Sequence, residues 1–168
     1  MQFALVSSPA FNNKVNPPLS HSNPQSVENA VLNVVVRPAE SEDADDVLEF
    51  IEIFVEAKRV LPRTLDEMTL LMPTAYVAMV DQELVGFAAL EIYSRKLAEV
   101  RSLCVKPELQ GRGIGKQLTR ACVELARDRN IFEVMVITSS DDFFRSCGFD
   151  FTLPGEKKAL FLQTRETP

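Results

Sequence analysis

The chain has 168 residues, with 18 lysines and arginines against 24 aspartates and glutamates and a single histidine. That length suits one domain burying about 70% of its unfolded surface, and a composition 46% hydrophobic and 25% charged excludes a disordered or fibrous chain. The net charge of −6 argues against bulk attraction to nucleic acid, and one histidine excludes sites that need two, such as HExxH.

Cys104, Cys122 and Cys147 are spaced too widely for a disulfide framework or a metal cluster, so no metal is expected and a reducing, cytoplasmic setting is. No apolar run reaches the roughly 18 residues of a membrane span, so no membrane partner is expected. Residues 1–33 are rich in proline, serine and asparagine, with Lys14 and Glu28 as their charged residues. They read as an N-terminal extension, poorly ordered or docked on the domain or on a partner subunit, and residues 34–168 as the domain itself.

Val34–Arg37 predicts a first strand, stopped by Pro38. Ser41 and Asp43 are candidate caps for a helix reaching about Lys58, with Val47, Leu48, Ile51, Phe54 and Val55 at helical spacing. Thr64-x-x-Glu67 is a capping box for a short helix ended by Pro73. Ala75–Val80 and Leu84–Tyr93 predict a hairpin across Asp81-Gln82-Glu83, and Leu97–Val105 a third strand after the charged turn Ser94-Arg95-Lys96. A helix over about Ile114–Arg129 follows, then the nearly continuous apolar run Ile131–Thr138, which reads as a strand covered on both sides. A short helix near Asp141–Cys147 and a late strand or hairpin over Phe149–Gln163 complete an α/β domain with a mixed sheet.

The strongest local signal is Gln110-Gly111-Arg112-Gly113-Ile114-Gly115-Lys116 at the entry of the long helix. Glycine lets the backbone turn tightly and approach a ligand, and the free N–H groups at a helix start favour an anion. Taken alone, the pattern also suits a helix entry whose glycines only relieve crowding. It is neither a P-loop, since no GK[ST] follows, nor the dinucleotide fingerprint.

Gln110-x-x-Gly113-x-Gly115 matches the acetyl-CoA signature [QR]xxGx[GA], and Phe143-Phe144-x-x-x-Gly148-Phe149 matches FYxxxGF. On these motifs, residues 34–163 resemble the GCN5-related N-acetyltransferase (GNAT) superfamily. The resemblance implies the acyl-CoA N-acyltransferase fold, a mixed central sheet flanked by helices, with acetyl-CoA as co-substrate. Leu61-Pro62-Arg63-Thr64-Leu65-Asp66-Glu67 and Ala98-Glu99-Val100-Arg101-Ser102-Leu103-Cys104-Val105 further resemble the acetyltransferase domain of bacterial N-acetylglutamate synthases. That subgroup implies L-glutamate as acceptor and a place in arginine biosynthesis. The superfamily often dimerises, so a homodimer and a small-molecule amine are the expected partners.

The resemblance implies that Gln110, Gly111, Arg112, Gly113, Ile114, Gly115 and Lys116 cradle the coenzyme A pyrophosphate. It also implies that the backbone near Leu103, Cys104 and Val105 meets the thioester. Glu99 is the candidate base for the amine, although a strand-end carboxylate can equally be a solvated charge. Phe144 stands where many relatives carry a thiolate-protonating tyrosine; Ser140 is the candidate to replace it, and it also reads as a helix cap. Arg101, Arg63, Lys106 and Lys158 are candidates for the acceptor's carboxylates. Strict strand alternation sets Glu99, Arg101 and Leu103 on one face unless a bulge intervenes. A covalent role for Cys104 has no histidine base except His21, so a plain buried cysteine is expected. Beyond Leu153-Pro154 the chain departs from the subgroup's LPxKVW and CLxCP patterns, which opens two alternatives: another small amine or a protein N-terminus as acceptor, or a non-catalytic acetyl-CoA-binding module.

Overall fold

Apolar residues at alternate positions build a five-stranded sheet in which two helical layers cover opposite faces. The computed structural model describes residues 33–151 and residue 162. The expected extension, the strand or hairpin over 149–163 beyond Phe151, and His21 and Lys158 fall outside the described residues. Strands β1 (Val34–Pro38), β2 (Ala75–Val80), β3 (Glu83–Ser94) and β4 (Leu97–Val105) pair antiparallel in sequence order, and β5 (Glu133–Met135) joins β4 in parallel. Helices α1 (Ala44–Glu56), α2 (Leu65–Leu71), α3 (Ile114–Asp128) and α4 (Asp141–Arg145) complete the described residues. None of these helices is long and apolar enough to cross a membrane.

On one face, Val77, Phe87, Ala89 and Cys104 meet Val47, Ile51 and Phe54 of α1 and Met68 and Leu71 of α2. On the other, Ala88, Leu90, Ala98, Val100 and Val105 meet Ile114, Leu118 and Cys122 of α3 and Phe144 of α4. Helix α3 sits close enough that a Cβ at Gly86 would lie 3.0 Å from Leu118 Cδ1 and 3.2 Å from the Cys104 carbonyl oxygen. A side chain at Gly86, on β3, would push α3 off the sheet.

The capping box forms as its spacing implies: Thr64 Oγ1 accepts from the Glu67 N–H at 3.2 Å and Glu67 Oε2 from the Thr64 N–H at 2.8 Å. The β2–β3 hairpin is tighter than the sequence suggests. Val80 pairs with Glu83, and Asp81 and Gln82 both take positive φ, 47° and 68°, as a two-residue turn matched to strand twist requires. Asp43 corrects its expected role. Its side chain makes no capping bond to α1, because it accepts from Arg37 Nη1 and Nη2 at 2.7 and 2.8 Å and from the Glu40 N–H at 2.7 Å.

The run Ile131–Thr138 is a second correction. Only Glu133–Met135 is strand, and Phe132 and Ile137 are exposed. Pairing with β4 covers Leu97–Glu99 and then stops, so Val136–Thr138 has no ladder to continue. The two parallel strands part beside Glu99.

Candidate active site

Two features meet along β4: a glycine-lined helix entry beyond its end and a cluster of charged side chains near its middle. At the end, the Lys106 N–H bonds to the Val85 carbonyl at 2.9 Å, and Gln110 Nε2 donates to the Val105 carbonyl at 3.0 Å, tying the loop to the strand. Gly111 and Gly113 take φ of 76° and 84°, where side chains are strained, and Gly113 is the N-cap of α3. The Gln117 N–H is already bonded to the Gly113 carbonyl at 3.1 Å, so the N–H groups of Ile114, Gly115 and Lys116 are those without an intrahelical acceptor. No acidic residue lies in that first turn. A Cβ at Gly113 would meet nothing within 4 Å, which leaves the approach to these donors open. With the exposed Arg112 and Lys116, this arrangement fits a phosphate group of coenzyme A. A cavity of about 230 Å³ lies along α3, lined by Lys116, Arg120 and Arg127 and by Ser146 and Cys147.

Glu99, the third residue of β4, is only 6% exposed. Its Oε2 accepts from the Tyr93 hydroxyl at 2.5 Å, and its Oε1 lies 4.0 Å from Arg101 Nε. Arg101 Nη1 also meets Glu91 Oε2 at 2.5 Å. Burial works against the charge of Arg101, but hydrogen bonding to Glu91 and the field of Glu91 and Glu99 outweigh it and raise its pKa. Arg63, in the segment before α2, differs. Its Nε donates to Ser102 Oγ at 3.3 Å, and among the described residues no carboxylate lies within ion-pair distance of it. Burial, reinforced by the charge of Arg101, holds its pKa below the usual arginine value. Burial, then the bond to Glu99, pushes the Tyr93 phenol up to about 12.

Glu99 and Arg101 share a face, as alternation requires, but Leu103 does not. Ala89 pairs with Arg101 and Phe87 with Cys104, so β4 carries an extra residue there, and Ser102 takes a φ of 53°. The bulge turns Leu103 to the α3 side. Because the Lys106 N–H points to β3, alternation sends the Val105 N–H toward the edge left unpaired by β5. Cys104 is buried, and burial raises its thiol to about 12, which suits core packing and not a nucleophile.

Lys106 is not brought to the charged cluster. It pairs with Glu83 and sits roughly 20 Å along β4 from Glu99. Ser140 is exposed at the N-cap of α4, and its side chain makes no capping bond. Phe144 is buried, edge-on to Phe143 and Phe149 at 5.0 and 5.6 Å. Tyr93, Glu91 and Ser102 belong to the cluster although nothing in the sequence singled them out. Period-2 alternation in β3 puts Glu91 and Tyr93 on one face, but only the pairing register brings that face to Glu99. Among the described residues, no group of three or more His, Cys, Asp or Glu is placed to hold a metal.

Residues 44–149 match the model of the Acetyltransferase (GNAT) family. An uncharacterised N-acetyltransferase of Chlorobaculum tepidum is 29% identical over 114 residues, which cover 68% of this chain and 74% of that one. An amino-acid acetyltransferase of Mycobacterium tuberculosis is 28% identical over 118 residues, covering 68% and 67%. Among solved structures, a Mycobacterium tuberculosis protein in complex with CoA superposes with a TM-score of 0.66 at 26% identity, over 74% of this chain and 76% of that one. The N-acetylglutamate synthase of Neisseria gonorrhoeae shares the fold at a TM-score of 0.61 and 23% identity, and 27% of its length is covered.

Proposed function

The chain belongs to the GNAT acetyltransferase family and is an acetyl-CoA-dependent enzyme of that family; on that premise we propose that its acceptor is a small amino acid, with L-glutamate the first to test. Arg63 carries this reading. A half-buried guanidinium without a carboxylate partner among the described residues, in a cluster with the buried Glu99, suits an acceptor that presents a carboxylate and an amine together. With glutamate as acceptor the product would be N-acetylglutamate, and cytoplasmic arginine synthesis and a homodimer belong to the same reading.

Acetyl-CoA supplies the acyl thioester. The N–H groups of Ile114–Lys116, with Arg112 and Lys116, would hold its pyrophosphate. A backbone N–H of the Leu103–Val105 segment, beyond the bulge on the β4 edge that β5 leaves, would face the thioester carbonyl oxygen and stabilise charge developing there. Glu99 would accept the proton of the acceptor's ammonium, directly or through water, while Arg63 fixes the carboxylate. Phe144 has no proton to give; the thiolate, with a pKa of roughly 8.5, would be protonated by Ser140 or by solvent.

One observation favours a second acceptor class. Glu91 already occupies Arg101, leaving, among the described residues of the cluster, one guanidinium without a carboxylate for what would be two carboxylates of glutamate. An acceptor with a single carboxylate, or another small amine, fits that balance, and relatives include a mycothiol acetyltransferase from Rhodococcus jostii, 32% identical over 73 residues.

Thiol release from acetyl-CoA, measured across a panel of amino acids and amines, decides between these. We expect turnover with an α-amino acid and a 10- to 100-fold loss of kcat/KM in Arg63→Ala, the worth of a charged hydrogen bond. Turnover with neutral amines but no amino acid would remove the amino-acid assignment, and full activity of Glu99→Gln would remove the base.

A further inference from the structure

One close contact has no part in the acyl transfer so far: the hydroxyl of Tyr93, the penultimate residue of strand β3, bonded to the carboxylate proposed as base. We propose that Tyr93 is the positioning residue of Glu99, holding one carboxylate oxygen so that the other faces the acceptor amine; this rests on the reading of Glu99 as base.

Geometry supports it in three ways. Tyr93 Oη meets Glu99 Oε2 at 2.5 Å, while Arg101 lies toward Oε1 at 4.0 Å, so the two oxygens have different neighbours. The Glu99 side chain is 7% exposed and Tyr93 is 48% exposed, which makes the phenol the bonded group between the buried carboxylate and solvent. The pairing Glu91↔Glu99 lies where β4 and β5 separate, so the carboxylate orientation is set from β3 and not by a continuing ladder. The charged and titratable groups around Glu99 are Tyr93 and Glu91 on β3, Arg101 on its own strand and Arg63 from the segment before α2; its register neighbour on β5 is Met135.

Tyr93→Phe keeps the ring and removes the bond. In the full-length protein we expect an unchanged Tm and a roughly tenfold fall in kcat with the KM for the acceptor amine unchanged, because the carboxylate loses its fixed orientation and not its place. A packing role alone would lower Tm and leave kcat in place. A wild-type kcat would overturn the proposal.

A second measurement needs no turnover. The chain has two tyrosines, so in a Tyr76→Phe background the phenol absorbance reports Tyr93 alone. It should titrate at about 12 and move toward the ordinary tyrosine value in Glu99→Gln. A titration unaffected by Glu99→Gln would refute the contact. Full activity of Glu99→Gln alongside a shifted phenol would instead refute the base reading.

Discussion

Replacing Gly113 separates backbone strain from ligand contact, because the structure makes the two differ. Its φ of 84° lies in the left-handed region, and an added Cβ meets nothing within 4 Å. Gly113→Ala therefore carries a conformational cost of about 1–2 kcal/mol with no collision, equivalent to a fall of roughly 3–8 °C in Tm for a domain of this size. Gly113→Asn adopts the same region more readily and should recover most of that stability. Binding should respond differently. The new side chain in either variant projects into the open approach to the Ile114–Lys116 N–H groups. Weakening one charge-assisted bond there is worth about 1.5–3 kcal/mol, or roughly 10- to 100-fold in affinity for coenzyme A. Thermal denaturation and calorimetric titration of the free protein give both quantities. Asparagine should be stable yet bind poorly. Wild-type affinity in Gly113→Asn would refute the placement of the anion, and affinities following the order of Tm would show that strain alone was being measured.

Two further outcomes follow from the core and the Arg37–Asp43 ion pair. Cys104→Ser should lose about 1–3 kcal/mol of stability, because a hydroxyl is buried among apolar neighbours, yet keep its kcat below its own Tm; loss of turnover in a folded variant would revive a chemical role for the thiol. Arg37 bonding, then the Glu40 N–H, depresses the Asp43 pKa against the effect of burial. A depressed carboxylate stabilises above its unfolded value of roughly 3.9 and loses that contribution as pH falls through the folded value. Urea midpoints of wild type and Asp43→Asn should therefore converge below about pH 4, and a gap constant down to about pH 2 would contradict the ion pair's role.

What the sequence disclosed was local chemistry, and what it withheld was pairing. The Thr64–Glu67 capping box and the Gly111–Gly113 turn are encoded within a few residues, so spacing alone identifies them. The Tyr93–Glu99 contact depends on which residue of β3 faces which residue of β4, and alternation leaves that register open. Asp43 shows the same limit at short range: its cap-like position was legible, but the guanidinium fork of Arg37 captures its carboxylate first. Apolar content predicted eight strand residues in Ile131–Thr138, yet a strand also needs a partner, and β4 offers one only as far as Glu99.

That early end of pairing and the bulge at Ser102 act together on β4. Without the extra residue, Leu103 would follow Glu99 and Arg101 onto the α1–α2 side, and Val105 would turn away from α3. With it, the charged cluster stays on one face while Leu103 and Val105 pack against the other, beneath the helix that begins at the glycine loop. One strand thus carries the charged cluster at its middle and the loop anchor, Gln110 to the Val105 carbonyl, at its end. Because β5 has already separated, the Val105 N–H near that end faces an edge with no strand partner among the described residues. A backbone donor at that edge, on the same strand as a buried carboxylate and next to a helix entry suited to an anion, is the combination that the proposed acyl transfer from a phosphorylated carrier needs. It arises from one inserted residue and one missing ladder, which explains why side-chain pattern alone could point to the parts but not to their alignment.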